Sequence, residues 1–245
     1  MIEEPYRWLE AITNRREYIE TQLSTGTAIV AVSCAEGILF VTHGQQKIFE
    51  IYDRIAFGAI GHPGDLERLR MAAIEVASTE GFTRSAADVS LRRMAHYSLS
   101  PLLKTAFEQV YGAPYLARLL FAEVGATPAD DLFVRLEYDG AISATGSRPG
   151  RPREGFAVIS GNRDSTAAAE KYLREKHDPL AAMSVAFQTA LGAPVFRDGG
   201  LTDTPAQENT SPRAEVEGAL LERKSDYAIR YRPVTEAEIH AALRG

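Results

Sequence analysis

Two side chains, Thr27 and Lys47, have the residue type and the setting to do chemistry. Gly26 precedes Thr27 where an apolar run begins, and Lys47 precedes a second apolar run. A threonine with a free α-amine can attack a carbonyl carbon, the amine helping to move the hydroxyl proton. A lysine ammonium can support such a nucleophile, or bind a carboxylate as a compact point charge. By spacing alone, a solvated lysine at the start of a strand is the favoured interpretation of Lys47.

The elements that position these residues lie in the stretch 26–61. Short apolar runs at 28–34, 38–42, 48–52 and 55–60 are separated by turns that contain glycine or aspartate. Such runs predict sequential antiparallel strands. Both hairpins are too apolar for both of their faces to be exposed to water, so we expect other elements to cover them.

Amphipathic helices are predicted on both sides of further strands. The predicted helices span 5–23, 63–81, 85–110, 164–176, a segment that begins at Asp178, and a terminal helix capped by Thr235 and Glu238. The later strands are predicted at 115–124, 131–138, 141–145, 156–160, 216–222 and 227–231. Polar loops are predicted at 147–154 and 199–215.

Specific residues mark the ends of the predicted helices. Gly26 is predicted to end the first helix in a left-handed conformation, and Gly81 to end the second. Pro101 is expected to kink the third helix. Asp178 and Pro179 are expected to cap and start the helix that carries Leu180 and Met183.

The order of these elements favours an α+β fold with two antiparallel sheets and helix layers. We expect one domain over residues 1–245, in which a helix at 5–23 precedes a sandwich at 27–245. The first helix carries an apolar stripe of Leu9, Ile12, Ile19 and Leu23. We expect this stripe to pack against a neighbouring subunit.

Composition excludes several classes of function. A net charge of -6 argues against nucleic-acid binding as the main task. No apolar run approaches the roughly 20 residues of a membrane span, and the first 20 residues lack the apolar core of a signal peptide. The single cysteine, Cys34, is expected to be buried, which fits a reducing cytoplasm. The five histidines lack metal-ligand spacing, so no metal or cofactor is expected.

One family resemblance covers nearly the whole chain. Residues 27–32, 37–40, 47–48, 52–54 and 55–61 resemble the first strands of proteasome subunits. The resemblance implies a four-layer αββα sandwich of the Ntn-hydrolase type. In its details the sequence is more similar to the non-catalytic alpha subunit of bacteria than to the catalytic beta subunit.

An alpha subunit of this family has a structural function, and the resemblance implies the same here. It implies a homo-heptameric ring that caps beta rings and has no catalytic activity of its own within a threonine-type endopeptidase complex. It also implies an axial entrance and a docking surface for an ATPase or other activator. Lys47, Gly26 and Gly61 would form the pocket for the carboxylate of the activator tail. A second set, Tyr111, Gly112, Ala113 and Pro114, would narrow the axial channel.

Other interpretations compete with this one. A beta-type Ntn threonine hydrolase would use Thr27 as nucleophile and Lys47 as its support, after cleavage of the Gly26–Thr27 bond. Against it, His43 stands where beta subunits place an aspartate, and a folded helix precedes Thr27. A stand-alone binding protein on the same fold is a third class. In the plainest interpretation, Gly26 is a helix cap, Gly61 a strand end, and 111–114 an ordinary turn.

Overall fold

The computed structural model describes residues 5–44, 46–109, 111–145, 154–198 and 216–244. Apart from Glu154, the loops predicted at 147–154 and 199–215 lie outside these residues. The strands are β1 (Ile29–Ser33), β2 (Gly37–His43), β3 (Ile48–Tyr52), β4 (Ile55–Gly61), β5 (Ala117–Glu123), β6 (Leu132–Leu136), β7 (Ile142–Ala144), β8 (Phe156–Ile159), β9 (Val216–Glu222) and β10 (Tyr231–Pro233). The helices are α1 (Pro5–Leu23), α2 (Pro63–Thr83), α3 (Leu91–Met94), α4 (Ser100–Glu108), α5 (Arg163–Lys176), α6 (Met183–Leu191), α7 (Val195–Asp198) and α8 (Glu236–Arg244).

The strands form two five-stranded antiparallel sheets. The first sheet has the order β10-β9-β2-β1-β8, and the second has the order β3-β4-β5-β6-β7. The two predicted hairpins therefore belong to different sheets: β1 and β2 lie in the first, β3 and β4 in the second. The pairing of β1 with β2 runs from Ile29 opposite Thr42 to Ser33 opposite Ile38.

The inner faces of the two sheets pack on each other. Ile29 and Ala31 of β1 lie in the core between the sheets, together with Phe40 of β2 and residues of the second sheet. The alternate residues Val30 and Val32 pack on the opposite face, in the core beneath the helices. Because a strand directs successive side chains to opposite faces, burial on both sides explains the continuous apolar runs.

Helices cover the two outer faces. The first half of α2 buries Leu69 and Ala73 against the second sheet, in a core that α3 and α4 also line. On the other side, Leu173 of α5 and Phe187 of α6 pack against the first sheet. The layers thus follow the order helix, sheet, sheet, helix. The predicted αββα sandwich with an additional N-terminal helix is confirmed.

The apolar stripe of α1 divides into a buried half and an exposed half. Ile19 and Leu23 are fully buried in a cluster with Phe107 and Tyr138, whereas Leu9 is 62% exposed. The expectation that the whole stripe faces a neighbour was therefore wrong for the C-terminal half. That half belongs to the subunit's own core, because Ile19 and Leu23 pack against Phe107 of α4 and Tyr138 of the β6–β7 turn.

Two glycines do not end helices in the predicted manner. Gly81 lies inside α2, where a Cβ atom would come within 2.1 Å of the Tyr52 hydroxyl, so a close approach to β3 explains this glycine. Gly26 follows the end of α1 and donates its N–H to the Leu23 carbonyl at 2.8 Å. It is not among the described residues with positive φ, so its predicted left-handed conformation was wrong.

The predicted helix 85–110 is broken into short segments. A 3₁₀ turn at Ala86–Asp88 precedes α3, and a π-helical turn at Ala95–Leu99 joins α3 to α4. Pro101 lies in the first turn of α4, and the irregular turn comes directly before it. Because proline has no N–H, it cannot continue the hydrogen bonds of the preceding turn.

The helix α6 starts four residues later than the predicted first residue, Pro179. The Asp178 carboxylate accepts the N–H of Leu180 at 2.9 Å and closes a local turn, so it does not cap a helix. Instead, Glu36 in the β1–β2 turn accepts the N–H of Met183 at 2.8 Å, at the first residue of α6. A residue distant in sequence supplies the cap. The strand predicted at 227–231 also begins later, as β10 (Tyr231–Pro233).

A buried ion pair ties three connections together at the end of the sandwich opposite Thr27. Arg223, after β9, donates to both carboxylate oxygens of Asp131 at 2.7 and 2.9 Å. The same two terminal nitrogens also donate to the carbonyls of Cys34, Gly37 and Gly125. Removing one partner of such a pair leaves a buried charge without compensation.

We expect Ile19→Ala to lower the free energy of unfolding by about 2–5 kcal/mol, because it leaves a cavity beneath α1. Leu180→Ala is the control, because Leu180 is 71% exposed and lies outside α1, and it should change the free energy of unfolding by less than about 0.5 kcal/mol. Urea titration of both full-length variants measures the difference. Equal effects of the two substitutions would contradict the burial described for α1.

Gly61 ends β4 with φ +139°, a conformation that favours glycine. A Cβ atom at this position would lie 1.9 Å from the carbonyl oxygen of Leu116. We expect Gly61→Ala to cost at least about 2 kcal/mol of stability, because either β4 or β5 must move. Gly64→Ala, in the first turn of α2, meets no atom closer than 3.4 Å and should be neutral or stabilising. Thermal unfolding of both variants is the measurement, and a Gly61→Ala protein as stable as Gly64→Ala would refute this account.

Candidate functional site

A cavity of about 480 Å³ opens beside the start of the first sheet. Gly26, Thr27, Lys47 and Gly61 all line it. The end of α1, the β2–β3 turn, the end of β4 and the start of α2 bring these four residues together. The structure therefore places the predicted catalytic alternative and the predicted carboxylate pocket at the same site.

The Lys47 side chain lies along the wall of this cavity. Its Nζ donates to the Thr27 hydroxyl oxygen and, at 3.2 Å, to the carbonyl oxygen of His43. The turn that carries Lys47 requires positive φ at Gly44 (94°) and at Gln46 (56°). This tight turn directs the lysine back over the end of β2.

A carboxylate from the other sheet holds the backbone of this turn. Glu217 of β9 accepts the N–H of Lys47 at 3.0 Å and the N–H of Ile48 at 3.2 Å. Tyr231 of β10 donates its hydroxyl to the Ile48 carbonyl at 2.9 Å. The sequence analysis did not identify Glu217 or Tyr231. No local sequence pattern connects these two residues with Lys47, because they follow it by 170 and 184 residues.

Burial shifts the ionisation of the groups around Lys47. Desolvation lowers the pKa of Lys47, and the charge of Glu217 partly opposes that shift. Desolvation raises the pKa of Glu217, against the hydrogen bonds from the Lys47 and Ile48 N–H groups. The pKa of His43 is lowered by desolvation and then by the charge of Lys47. A lysine ammonium in such a setting is stabilised by a further negative charge.

The lining of the cavity also includes apolar side chains and one ion pair. Phe49, Phe57 and Leu66 are the large apolar residues among them. The Arg70 guanidinium lies 5.1 Å from the centroid of the Phe49 ring and pairs with Glu67 at 2.8 and 2.6 Å. The sequence analysis missed this pair, although its i, i+3 spacing on α2 is a usable signal.

Gly26, one of the two predicted pocket glycines, has its N–H in a local hydrogen bond. The Gly26 N–H is already used by the Leu23 carbonyl, so it cannot hold a carboxylate without breaking that bond. A Cβ atom on Gly26 would lie 3.2 Å from the Cβ of Ile60. The plain interpretation of Gly26 as part of the helix end is therefore correct, and it coexists with a place on the cavity wall.

The predicted channel residues lie elsewhere. Tyr111, Gly112, Ala113 and Pro114 form the connection between α4 and β5, and none of them lines the cavity of Lys47. Tyr111 is completely exposed. Hydrogen bonds of the Leu116 backbone connect this segment to the start of α2, which borders the cavity. The Leu116 carbonyl accepts the His62 N–H at 2.8 Å, and the Leu116 N–H donates to the Asp65 carboxylate at 2.9 Å.

In the intact chain the Thr27 amine is part of the peptide bond to Gly26, so a beta-type mechanism would require cleavage of that bond. His43, at the position of the expected aspartate, stacks its ring on Phe196 at 4.9 Å. Within the described ranges, no group of three or more histidine, cysteine, aspartate or glutamate residues is placed to hold a metal ion. In the same ranges, no helix is long and apolar enough to cross a membrane.

Comparison with known proteins identifies the family. No family model matches the chain. The chain is 30% identical over 238 residues to a proteasome subunit alpha from a Nocardioides species, covering 96% of this chain and 86% of the relative. It is 33% identical over 218 residues to a proteasome subunit alpha from Actinosynnema mirum, covering 87% and 77%. A third relative of the same name, from a Parafrankia species, is 31% identical over 226 residues, covering 88% and 85%.

These relatives are named as alpha subunits, which supports the non-catalytic interpretation over the beta-type hydrolase. A folded helix, α1, precedes Thr27, and His43 stands where beta subunits place an aspartate, and both features agree with that distinction. The chain belongs to the bacterial proteasome alpha-subunit family.

Proposed function

We propose that this chain forms a homo-heptameric outer ring of a proteasome core particle in the cytoplasm. In this proposal the ring stacks on beta subunits, which supply the catalytic threonines. It also receives an ATPase or other activator through the C-terminal tail of that partner. One observation carries the docking role: the Lys47 ammonium lies in a cavity and, among the described residues, its Nζ hydrogen-bonds only to neutral oxygens.

Electrostatics favour a carboxylate as the ligand of Lys47. The ammonium has lost part of its hydration. The hydroxyl of Thr27 and the carbonyl of His43 replace it only with neutral, dipolar hydrogen-bond partners. An anion entering the cavity would supply the missing opposite charge in a medium less polar than bulk water. Raised salt should therefore weaken docking, in proportion to the exposure of the pair.

The shape and lining of the cavity favour a peptide end over a small anion. Phe49, Phe57 and Leu66 line the same cavity as the lysine. A chain terminus presents a carboxylate and apolar side chains together, so it can contact both the lysine and the apolar residues. A small inorganic anion has no apolar group that could pack against the aromatic rings.

Surface features of α1 support the ring. Trp8 is 41% exposed and Leu9 62% exposed near the start of the helix, whereas the residues from Ile12 onward on this stripe pack on the subunit's own core. Large apolar side chains grouped on one exposed face favour burial against a partner. A closed ring of identical copies would bury this face in every subunit. We assign Tyr111, Gly112, Ala113 and Pro114 to the axial entrance of this ring.

Lys47→Ala should weaken binding of a carboxylate-ended peptide while leaving assembly intact. Because Lys47 is half-buried, we expect a loss of about 1–3 kcal/mol, which is roughly 5- to 150-fold in affinity. The measurement is fluorescence anisotropy of a labelled Gly-Gly-Ala-Ala-Leu-Leu peptide with a free carboxylate. The protein is the full-length chain co-purified with its beta subunit.

Two controls make this test decisive. The same peptide with a C-terminal amide should bind the wild type as weakly as the carboxylate peptide binds Lys47→Ala. Lys171→Ala removes an exposed lysine of α5 and should bind like the wild type. Wild-type affinity in Lys47→Ala would exclude this lysine as the docking residue.

Leu9→Asp should weaken the ring without unfolding the subunit, because it places a charge on the exposed face of α1. Native mass spectrometry measures the fraction of heptamer. Leu180→Asp is the matched control, since Leu180 is 71% exposed and lies outside α1. If both variants keep the wild-type native mass, this half of α1 is not a ring contact.

A further inference from the structure

The β2–β3 turn that carries Lys47 is not self-supporting. It contains a non-glycine residue, Gln46, at positive φ, which costs free energy in any L-residue. Within the described part of this turn, two backbone N–H groups, of Lys47 and Ile48, point at the carboxylate of Glu217. A charged acceptor forms stronger hydrogen bonds to N–H groups than a neutral one.

This support comes from across the sandwich. Glu217 and Tyr231 lie on β9 and β10 of the first sheet, whereas Ile48 begins β3 of the second sheet. The carboxylate accepts hydrogen bonds from the N–H groups of the turn, and the Tyr231 hydroxyl donates one to the Ile48 carbonyl. The β9–β10 hairpin therefore fixes the position of Lys47 relative to the sheet that carries Thr27.

We propose that Glu217 is the positioning residue of the carboxylate site: by binding the N–H groups of Lys47 and Ile48, its carboxylate holds the Lys47 turn in place and brings a negative charge to the residue that carries the ammonium. This inference rests on the proposed docking function, and it adds the residue that sets the pH range over which the site binds an anion. No direct contact between Glu217 and the docked tail is required.

Several groups face Lys47 besides Glu217. His43 approaches from the end of β2, and the pair of Glu67 and Arg70 faces the cavity from α2. Glu50 lies on β3, near enough to affect Tyr231. Of these groups, Glu217 is the one whose charge opposes the effect of burial on the pKa of Lys47. The Glu67 charge is matched by Arg70 at 2.6 Å.

The expected sign of the pH effect follows from these contacts. Burial lowers the pKa of Lys47, and Glu217 raises it. Replacing Glu217 with glutamine keeps the shape and one acceptor oxygen but removes the charge. The Lys47 amine should then lose its proton at lower pH than in the wild type, and carboxylate binding should fail earlier as pH rises.

Competitive labelling measures this change without any ligand. Only the neutral amine reacts with acetic anhydride, so the labelling rate of Lys47 against pH, followed by mass spectrometry, reports its ionisation. Below the midpoint of that profile, Glu217→Gln should react about tenfold faster than the wild type. Glu222→Gln, on the same strand but paired with Arg232, is the matched control and should follow the wild-type profile.

Peptide binding tests the positioning part. Glu217→Gln should bind the carboxylate peptide at least fivefold more weakly than the wild type, with a larger loss at higher pH. Tyr231→Phe removes one hydrogen bond to the turn without removing a charge. It should weaken binding by a factor that does not change with pH, and its labelling profile should match the wild type.

The outcomes separate the two proposals. Identical labelling profiles for wild type and Glu217→Gln would overturn the role of Glu217, whatever the peptide does. If the wild type binds the carboxylate and amide peptides equally, the docking function fails, and the labelling experiment still decides whether Glu217 controls Lys47. An accelerated labelling rate together with pH-dependent loss of binding supports both.

Discussion

The packing of one sheet directly on the other is the interaction on which the rest of this structure depends. Ile29, Phe40 and Leu120 meet in the core between the sheets and have no contact with water. The sheets approach so closely at Gly58 that a Cβ atom would lie 3.2 Å from Ile29. Because the inner faces cover each other, each outer face needs its own helix layer, and the four-layer order follows from that need.

The same packing explains where the cavity of Lys47 forms. The sheets are joined tightly at their centres, and their ends are closed by different means. At one end, the buried pair of Arg223 and Asp131 fills the gap with hydrogen bonds to backbone carbonyls. At the other end, α1 and the β2–β3 turn leave an open space beside Thr27 and Lys47. The site is thus an open space at one end of the sandwich, lined by residues at and near the ends of the strands and helices that meet there.

Features set by local patterns could be predicted from the sequence, and features set by tertiary contacts could not. The strands β1 to β4 followed from apolar runs, and the Thr235–Glu238 capping box is present, with Glu238 accepting the Thr235 N–H at 2.8 Å. The start of α6 and the role of Gly81 depended on Glu36 and Tyr52, which are distant in sequence. Resemblance located Lys47, but only three-dimensional proximity reveals Glu217.

The divided helix α1 gives the molecule a built-in optical reporter. The chain contains a single tryptophan, Trp8, and it is 41% exposed on the outer half of this helix. Indole emission therefore originates at one known point, well away from the sandwich core that dominates global stability. The emission wavelength of Trp8 and its accessibility to quenchers therefore report on the surroundings of α1 in each state of association. No engineered label is needed for this measurement.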